Sequence, residues 1–383
     1  MSTKPIAELG VTHFKGISVK DKGVEGKYTL VPSGAVFPDV IKLDRCKKFT
    51  GDMAKVSQKF LQPNDVLFNS GGVGTLGRSH HIDDIQPRSF VPDSFVMVLR
   101  SSGVQVLSKY LYYYLQTPSA KQLIAENTRG TIGITSIKSE AVLGFKMPCP
   151  SITEQQRIVH LLDEAFEGIA IAKANAEKNL QNTRTLFESH LHSIYSEGNA
   201  VWPAVPLGEI CDVLDNLRKP VTKRDRVVGP YPYYGATGVV DHVANFLFDE
   251  PLVLVGEDGA KWGPGEKSAF LVSGKVWVNN HAHVVRPHRQ RVLDQWLVFY
   301  LTHIDLNEYV SGLTVPKLNQ GSMREIPIPL PKIAEQQLIV DTLKELEASV
   351  NQLAESYAAK LRACEELSSS LLDQAFSGDL KAA

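Results

Sequence analysis

Cysteine is scarce. The four residues Cys46, Cys149, Cys211 and Cys364, in a chain of 383, lie far apart and form no C-x-x-C pair. That spacing excludes a disulfide framework, argues against a structural zinc site, and fits a reducing, cytoplasmic setting. Long apolar runs are missing too. No stretch approaches the roughly 18 apolar residues that a membrane span needs, and the opening Met1-Ser-Thr-Lys-Pro5 has no apolar signal core. An excess of charge of either sign is also lacking, the formal net charge being −1 at pH 7. With 43% hydrophobic and 22% charged residues, the composition is that of a folded protein and not of a disordered one. The near-neutral total conceals a division: segments 151–198 and 332–383 together carry roughly −7, leaving roughly +6 on the remainder, a modest footprint for phosphate.

What is present is a repetition. Pro148, Pro150, Ile152, Glu154, Gln155, Gln156, Ile158, Val159 and Leu162 recur at one constant offset as Pro329, Pro331, Ile333, Glu335, Gln336, Gln337, Ile339, Val340 and Leu343. The offset continues through Leu180/Leu361, Leu186/Leu367, Leu191/Leu372 and Ser196/Ser377, so it covers a whole long helix. One unit is therefore a globular part followed by a long helix, and the chain holds two: globular 1–150, helix 151–198, globular 199–331, helix 332–383. Pseudo-twofold symmetry suits a protein to a nearly twofold object, and duplex DNA is one.

The first helix is expected to start at Thr153-Glu-Gln-Gln156, read as a capping box with Thr153 at the N-cap; Ala334 replaces that threonine in the second copy. Apolar residues then fall at Ile158, Leu162, Ala165, Ile169, Ala172 and Ala176 in steps of four and three, with a stutter to Leu180. Ile339, Leu343, Leu346, Val350, Leu353, Tyr357 and Leu361 repeat the phase. Small residues in one helix face large ones in the other, which predicts that the helices pack on each other as an antiparallel pair.

The globular parts share fainter landmarks. Leu107–Leu115 and Leu293–Leu301 read as matching amphipathic helices whose aromatics belong to the core, while 131–138 and 313–320 read as polar turns before a last strand. Between these landmarks the halves diverge, as expected if they perform one mechanical task on two different targets.

The clearest basic cluster is Arg218, Lys219, Lys223, Arg224 and Arg226, leading into Tyr233 and Tyr234. Guanidinium and ammonium groups among aromatics and glycine turns are the makings of a groove-reading loop, the alternative being a solvated surface. In the first part Arg129, Thr135 and Lys138 are comparable, with Lys317 and Asn319 in the matching place of the second. His281 and His283 alternate on a strand-like segment; with no third ligand nearby in sequence, a structural or DNA-facing role is preferred to a metal site. Gly72-Val-Gly-Thr-Leu-Gly77 is formally G-x-G-x-x-G, but the polar sequence after it is too short for the helix that a dinucleotide or S-adenosylmethionine site requires. A tight turn presenting Arg78, His80 and His81 to DNA is the preferred reading.

These residues resemble a known family, the DNA specificity subunits of type I restriction and modification systems. Pro148-Cys-Pro-Ser-Ile-Thr-Glu-Gln-Gln-Arg-Ile158 with its second copy carries most of the resemblance. Gly229–Gly238, Gly256-Glu-Asp-Gly-Ala260 and His281-Ala-His283 look like further family motifs. The resemblance implies an α/β fold of two target-recognition domains separated by two long antiparallel coiled-coil helices. Each domain would read half of a split, asymmetric sequence in double-stranded DNA. The helices would act as a ruler and as docking sites for two methyltransferase subunits, with endonuclease/translocase subunits completing the complex. Catalysis would belong to the partners, and no catalytic residue, cofactor or metal is expected here: the chain has no Asn/Asp-Pro-Pro-Tyr/Phe motif and no Walker-type phosphate loop. Two other readings stay open, a stand-alone S-adenosylmethionine-dependent methyltransferase built on the glycine motif and a coiled-coil scaffold that does not bind DNA.

Overall fold

In a computed structural model the described residues are 2–19, 25–51, 56–131, 134–198, 201–312 and 314–380. The chain divides into two compact units, Met1–Asn175 with Lys360–Ala383, and Ala176–Ala359. Each unit therefore combines one globular part with pieces of both long helices, Ile152–Gly198 and Ile333–Ser377.

In the first unit, strands Val11–Lys15, Val96–Ser101, Asp65–Asn69 and Ser79–His81 form an antiparallel sheet in that order. A second sheet places Tyr28–Val31 between Lys47–Phe49, antiparallel, and Phe90–Pro92, parallel. The second unit repeats the plan. Cys211–Val213, Ala282–Pro287, Leu252–Gly256 and Ala269–Val272 form the antiparallel sheet, and Tyr231–Gly235 lies in a second sheet, antiparallel to Gly238–Val243 and parallel to Lys275–Val278. Central strands such as Asp65–Asn69 and Leu252–Gly256 are buried along their whole length, which explains their unbroken apolar runs. Interiors that share almost no sequence thus share strand order and sense.

Each globular part opens and closes on one strand pair, Thr3–Pro5 with Lys146–Pro148 and Ala204–Pro206 with Pro327–Pro329. A long helix follows directly. The first helix is capped two residues earlier than the sequence predicted: Ser151 Oγ accepts the Glu154 N–H at 3.3 Å, and Thr153 already lies inside the helix. Pro150 cannot extend a helix backwards, so the residue after it takes the cap. At the matching position the second copy has Lys332, whose backbone carbonyl alone receives the first amides.

The middle glutamine of the Glu-Gln-Gln motif is fully buried in both copies and performs one task twice. Gln155 Oε1 accepts the Leu107 N–H at 2.9 Å while Nε2 donates to the carbonyls of Gln105 and Pro150 at 2.9 and 3.0 Å. Gln336 does the same with Leu293 at 2.9 Å and with Arg291 and Pro331 at 2.9 and 2.8 Å. The clamp joins each long-helix start to the start of a short helix, Ser108–Gln116 or Asp294–His303. One turn into that short helix, Tyr110 Oη donates to Pro148 O and Trp296 Nε1 to Pro329 O.

Both long helices reach each core. Ile158 and Leu162 from the first helix and Leu372, Ala375 and Phe376 from the second lie in the first unit's core, where Phe376 packs 4.7 Å from Tyr110. In the second unit the ends exchange roles: Leu191 and Tyr195 join Val340 and Leu343, and Tyr195 lies 5.1 Å from Trp296. The helices are therefore antiparallel within each unit.

Along the seam, Ile158, Leu162, Ala176, Leu343 and Val350 are buried, and Ile169, Leu180, Ile339, Leu346, Tyr357 and Leu361 are half-buried. Ala172 and Leu353 are exposed, while the neighbouring Lys173 and Ala354 are half-buried, Lys173 pairing with Glu365 at 3.8 Å. The sequence pattern placed the stutter after Ala176 and Tyr357, whereas the buried and half-buried positions take the extra step of four earlier, from Ile169 to Lys173 and from Val350 to Ala354.

Candidate nucleic-acid interface

In the first unit the backbone runs from strand Asp65–Asn69 through the glycine turn into strand Ser79–His81. Gly72, Gly74 and Gly77 adopt φ of +112°, +69° and +79°, values that side chains resist, and the turn closes as Gly77 N–H bonds Asn69 O at 2.9 Å. No helix opens at these glycines, which is the element a dinucleotide or S-adenosylmethionine site requires. Beside the turn lies the hairpin of Arg129–Thr131 and Ile134–Ser136, where the sequence suggested a polar turn; its Thr135 carbonyl accepts the Gly72 N–H at 3.1 Å. Ile132, Gly133 and Leu313, which belong to the segments read as polar turns, lie outside the described residues.

Arg78, Arg129, His80 and Lys138 surround this surface with different degrees of freedom. Arg129 and Lys138 are exposed and Thr135 is half-buried. Arg78 donates to Gly74 O at 2.7 Å and lies over the Phe37 ring, and His80 Nδ1 contacts Pro38 O at 3.1 Å. His81 does not belong to the surface. It is buried between Asp83 and Ser108, each at 3.1 Å, and that burial, only partly offset by Asp83, lowers its pKa. Alternation along a strand sends His80 out and His81 in.

In the second unit the sequence candidates converge, but on an ionic hub and not on a free surface. Arg218, only 12% exposed at its side chain, is paired with Glu257 and, at 3.2 Å, with Asp215. His283 is wholly buried, its Nδ1 2.6 Å from Asp215 and its Nε2 donating to Leu318 O at 2.7 Å. Lys317 reaches Glu257 at 2.7 Å. Burial pushes the Asp215 carboxyl up, yet the hydrogen bond and charge of His283, the Val284 N–H and Arg218 together hold it below its ordinary value. Glu257 is likewise pushed up by burial and held down by Lys317 and Arg218. Asp215, Glu257 and His283 bring their ligand atoms within 4.8 Å of one another, so the fold gathers two carboxylates at His283 that its neighbouring sequence lacked, while His281 stays outside the cluster. Those groups are already committed to Arg218, Lys317 and the Leu318 carbonyl, and the donor set is that of an ion-pair hub.

Three more candidates are structural. Arg226 bonds Asp241 at 2.9 Å and stacks 4.4 Å above Tyr233, which is buried and hydrogen-bonds both backbone groups of Val221. Tyr234 is half-buried against Phe270. What remains outward is Lys219, Lys223 and Arg224, the last 95% exposed, on a loop pinned by the Trp277 N–H to the Lys219 carbonyl at 2.7 Å. His281 and Asn319 are also exposed, the former paired with Asp258 and the latter donating to Ser311 at 2.7 Å.

The two surfaces share one frame. Gly71 bridges to Ser136 as Asp258 bridges to Lys317, and the N–H groups of Ile137 and Leu318 bond Ser70 O and Glu257 O at 2.9 and 2.8 Å. Ser136 therefore matches Lys317. Sequence reasoning passed over Lys42 and Arg45, which share the Phe37 ring with Arg78. Two isolated basic residues carry no sequence signal; their common ring appears only on folding.

The sequence model for the type I restriction modification DNA specificity domain matches residues 18–182 and again 199–361. Over 174 residues, 45% of this chain and 43% of the relative, the sequence is 34% identical to a Haemophilus influenzae protein described as a type I restriction enzyme specificity subunit. The Escherichia coli EcoprrI specificity subunit is 25% identical over 264 residues, 64% of this chain and 63% of that one. The chain thus spans less than two thirds of the length of either relative. Among solved structures, a chain of a type I R-M system studied for its complex assembly and conformational transition superposes with a TM-score of 0.75 at 18% identity, covering 97% of this chain and 98% of that one. The HsdS subunit from Thermoanaerobacter tengcongensis gives 0.55 at 17% identity, with coverage of 99% and 94%. With two matched domains occupying most of its length, the chain belongs to the type I restriction modification DNA specificity domain family.

Proposed function

We propose that this protein is the DNA-reading subunit of a type I restriction and modification complex, each globular domain recognising one half of a bipartite, asymmetric duplex sequence. The observation that carries this is one backbone frame used twice with different side chains: Ser70, Ser136 and a glycine turn in the first domain, Glu257, Lys317 and the Lys219–Arg224 loop in the second. A shared frame fixes approach to the duplex, and unlike side chains read unlike bases. The exposed cations Arg129, Lys138, Lys219, Lys223 and Arg224 are assigned to DNA, with His80, His281 and Asn319 at the margin.

The long helices set the separation of the half-sites and hold two methyltransferase subunits, which perform the chemistry, with restriction subunits joining them. Leu186 and Leu367, related by the repeat, are exposed at 55% and 50%, and such a matched pair of apolar side chains suits two copies of one partner. No helix among the described residues is long and apolar enough to cross a membrane. A stand-alone methyltransferase is the weaker reading, because the glycine segment turns into a strand.

The deciding experiment exchanges residues from about Leu207 to Arg324 for the matching region of a related subunit and maps methylation genome-wide. Only one half of the target should change. An unaltered target, or one altered in both halves, refutes the proposal.

A further inference from the structure

Three cations of the first unit surround a single ring. Lys42 Nζ lies 4.6 Å, Arg78 Cζ 4.8 Å and Arg45 Cζ 5.2 Å from the centroid of Phe37. All three surround one point, so no two charges are further apart than about 10 Å, which is one Debye length at ~0.1 M salt. Among the described residues none of the three has a carboxylate partner, although Asp39 and Asp44 belong to the same loop. Arg45 and Arg78 are held instead by neutral carbonyls, of Gly34 at 3.1 Å and Gly74 at 2.7 Å. Elsewhere in the protein partly buried cations such as Arg100, Arg157, Arg218 and Arg286 have acids beside them. Three like charges gathered on one ring repel one another, and an anion relieves that repulsion.

The cluster also adjoins the recognition surface. Asn69, at the foot of the glycine turn, donates to Ser33 O at 2.8 Å, and a β-carbon on Gly72 would meet Ser33 Oγ at 3.2 Å. The Phe37 loop, the glycine turn and the Thr135 hairpin thus form one continuous face. A patch about 10 Å across is wide enough to meet more than one phosphate of a strand. We propose that Lys42, Arg45 and Arg78, ordered on Phe37, clamp the phosphodiester backbone of the duplex beside the first half-site. The assignment rests on the DNA-reading function proposed above. Cations already ordered on the ring lose little further freedom on binding, which makes the patch a positioning anchor without base information.

The test measures DNA affinity against salt for the full chain assembled with its methyltransferase subunits. Lys42→Gln and Arg45→Gln, both at exposed side chains, should weaken target and non-target duplexes by the same factor. Each should reduce the slope of log K against log salt by about 0.9, and the double variant by about twice that. A wild-type slope in the double variant, or weakening confined to the target sequence, overturns the clamp. If those variants match wild type while Lys219→Ala lowers the slope, the DNA reading survives and only this site falls. Absence of DNA binding by the wild-type assembly would overturn both.

Discussion

Gln155→Leu probes the joint on which each domain is hung. Leucine nearly matches glutamine in volume, so the substitution removes three hydrogen bonds without opening a large cavity. It strands the Leu107 N–H and the carbonyls of Gln105 and Pro150 around a fully buried side chain. A buried group left unpaired costs about 1–3 kcal/mol, the carbonyls less than the amide, so the sum is about 3 kcal/mol after the gain in apolar burial. For a unit of this size that is a fall of roughly 6–12 °C in its transition. Gln155→Glu should be worse near neutral pH, because a carboxylate accepts from Leu107 but faces two carbonyl oxygens with nothing to donate.

The chain offers a selective reporter. All four tryptophans, Trp202, Trp262, Trp277 and Trp296, belong to the second unit. Gln336→Leu should therefore shift the unfolding transition seen by tryptophan fluorescence, whereas Gln155→Leu should leave it in place and shift only that part of the tyrosine absorbance change that comes from Tyr28, Tyr110, Tyr112, Tyr113 and Tyr114 of the first unit. Hydrogen exchange at the Leu107 and Leu293 amides gives the residue-level readout. A loss under about 0.5 kcal/mol for either variant, or equal loss of protection at both amides in each, would refute the clamp as drawn.

Among the basic residues, Lys219→Ala and Arg224→Ala should weaken DNA binding and leave thermal stability unchanged. Arg218→Ala should instead destabilise the second unit by about 3 kcal/mol, because Glu257 and Asp215 lose a buried cation; equal thermal stability of all three variants would contradict this. Asp215 and Glu257 have folded pKa values below their ordinary ones. Their stabilisation is thus complete above the unfolded values near ~4 and is lost as pH falls through the depressed ones, giving an acid-induced change in tryptophan fluorescence that Glu257→Gln should diminish. For the ruler, deletion of four residues from both helices, within Ala172–Leu180 and Leu353–Leu361, should shorten the DNA spacer by close to two base pairs, since ~6 Å of helix is removed against ~3.4 Å per pair. Methylome sequencing showing the original spacer in a functional variant would sink it. Deletion in one helix alone should impair assembly, because each core receives one end of each helix.

The repeat was legible because its signal is carried by the residues that build the frame. Glu-Gln-Gln, the flanking prolines and the helical leucines specify local structure through caps, clamps and period, and all of these are written in adjacent residues. The errors were also local. Counting the cap from Thr153 ignored that Pro150 leaves Ser151 as the first free residue, and placing the stutter after Tyr357 put Leu353 in the seam where Ala354 lies. Candidate interface residues failed for a non-local reason. A cation in sequence shows its charge but not the acid that neutralises it: Asp215 stands three residues from Arg218, but its other partner Glu257 and the Asp241 partner of Arg226 stand 39 and 15 residues away. Tyr233 and His283 were likewise indistinguishable from surface residues until the sheets closed over them.

The contrast between the two domains indicates how a fixed frame accommodates different surfaces. At the hairpin and the adjoining strand end, the same two backbone contacts recur, while the side chains change from Ser70 and Ser136 to Glu257 and Lys317. Placing a lysine there brings it against a buried glutamate, so the charge is neutralised within the frame and adds little field outside it. Charge available to a phosphate must then come from a neighbouring segment whose backbone is held but whose side chains are not. Loop 219–224 meets that condition, since Trp277 and Tyr233 fix its main chain while Lys223 and Arg224 face solvent. In the first domain, whose matching positions are serines, Arg129 opposite Ser136 and Lys138 beyond it stay exposed, and further cations stand around Phe37. Where the frame position is itself charged and paired, as in the second domain, the free positive charge lies one segment away from the ion pair.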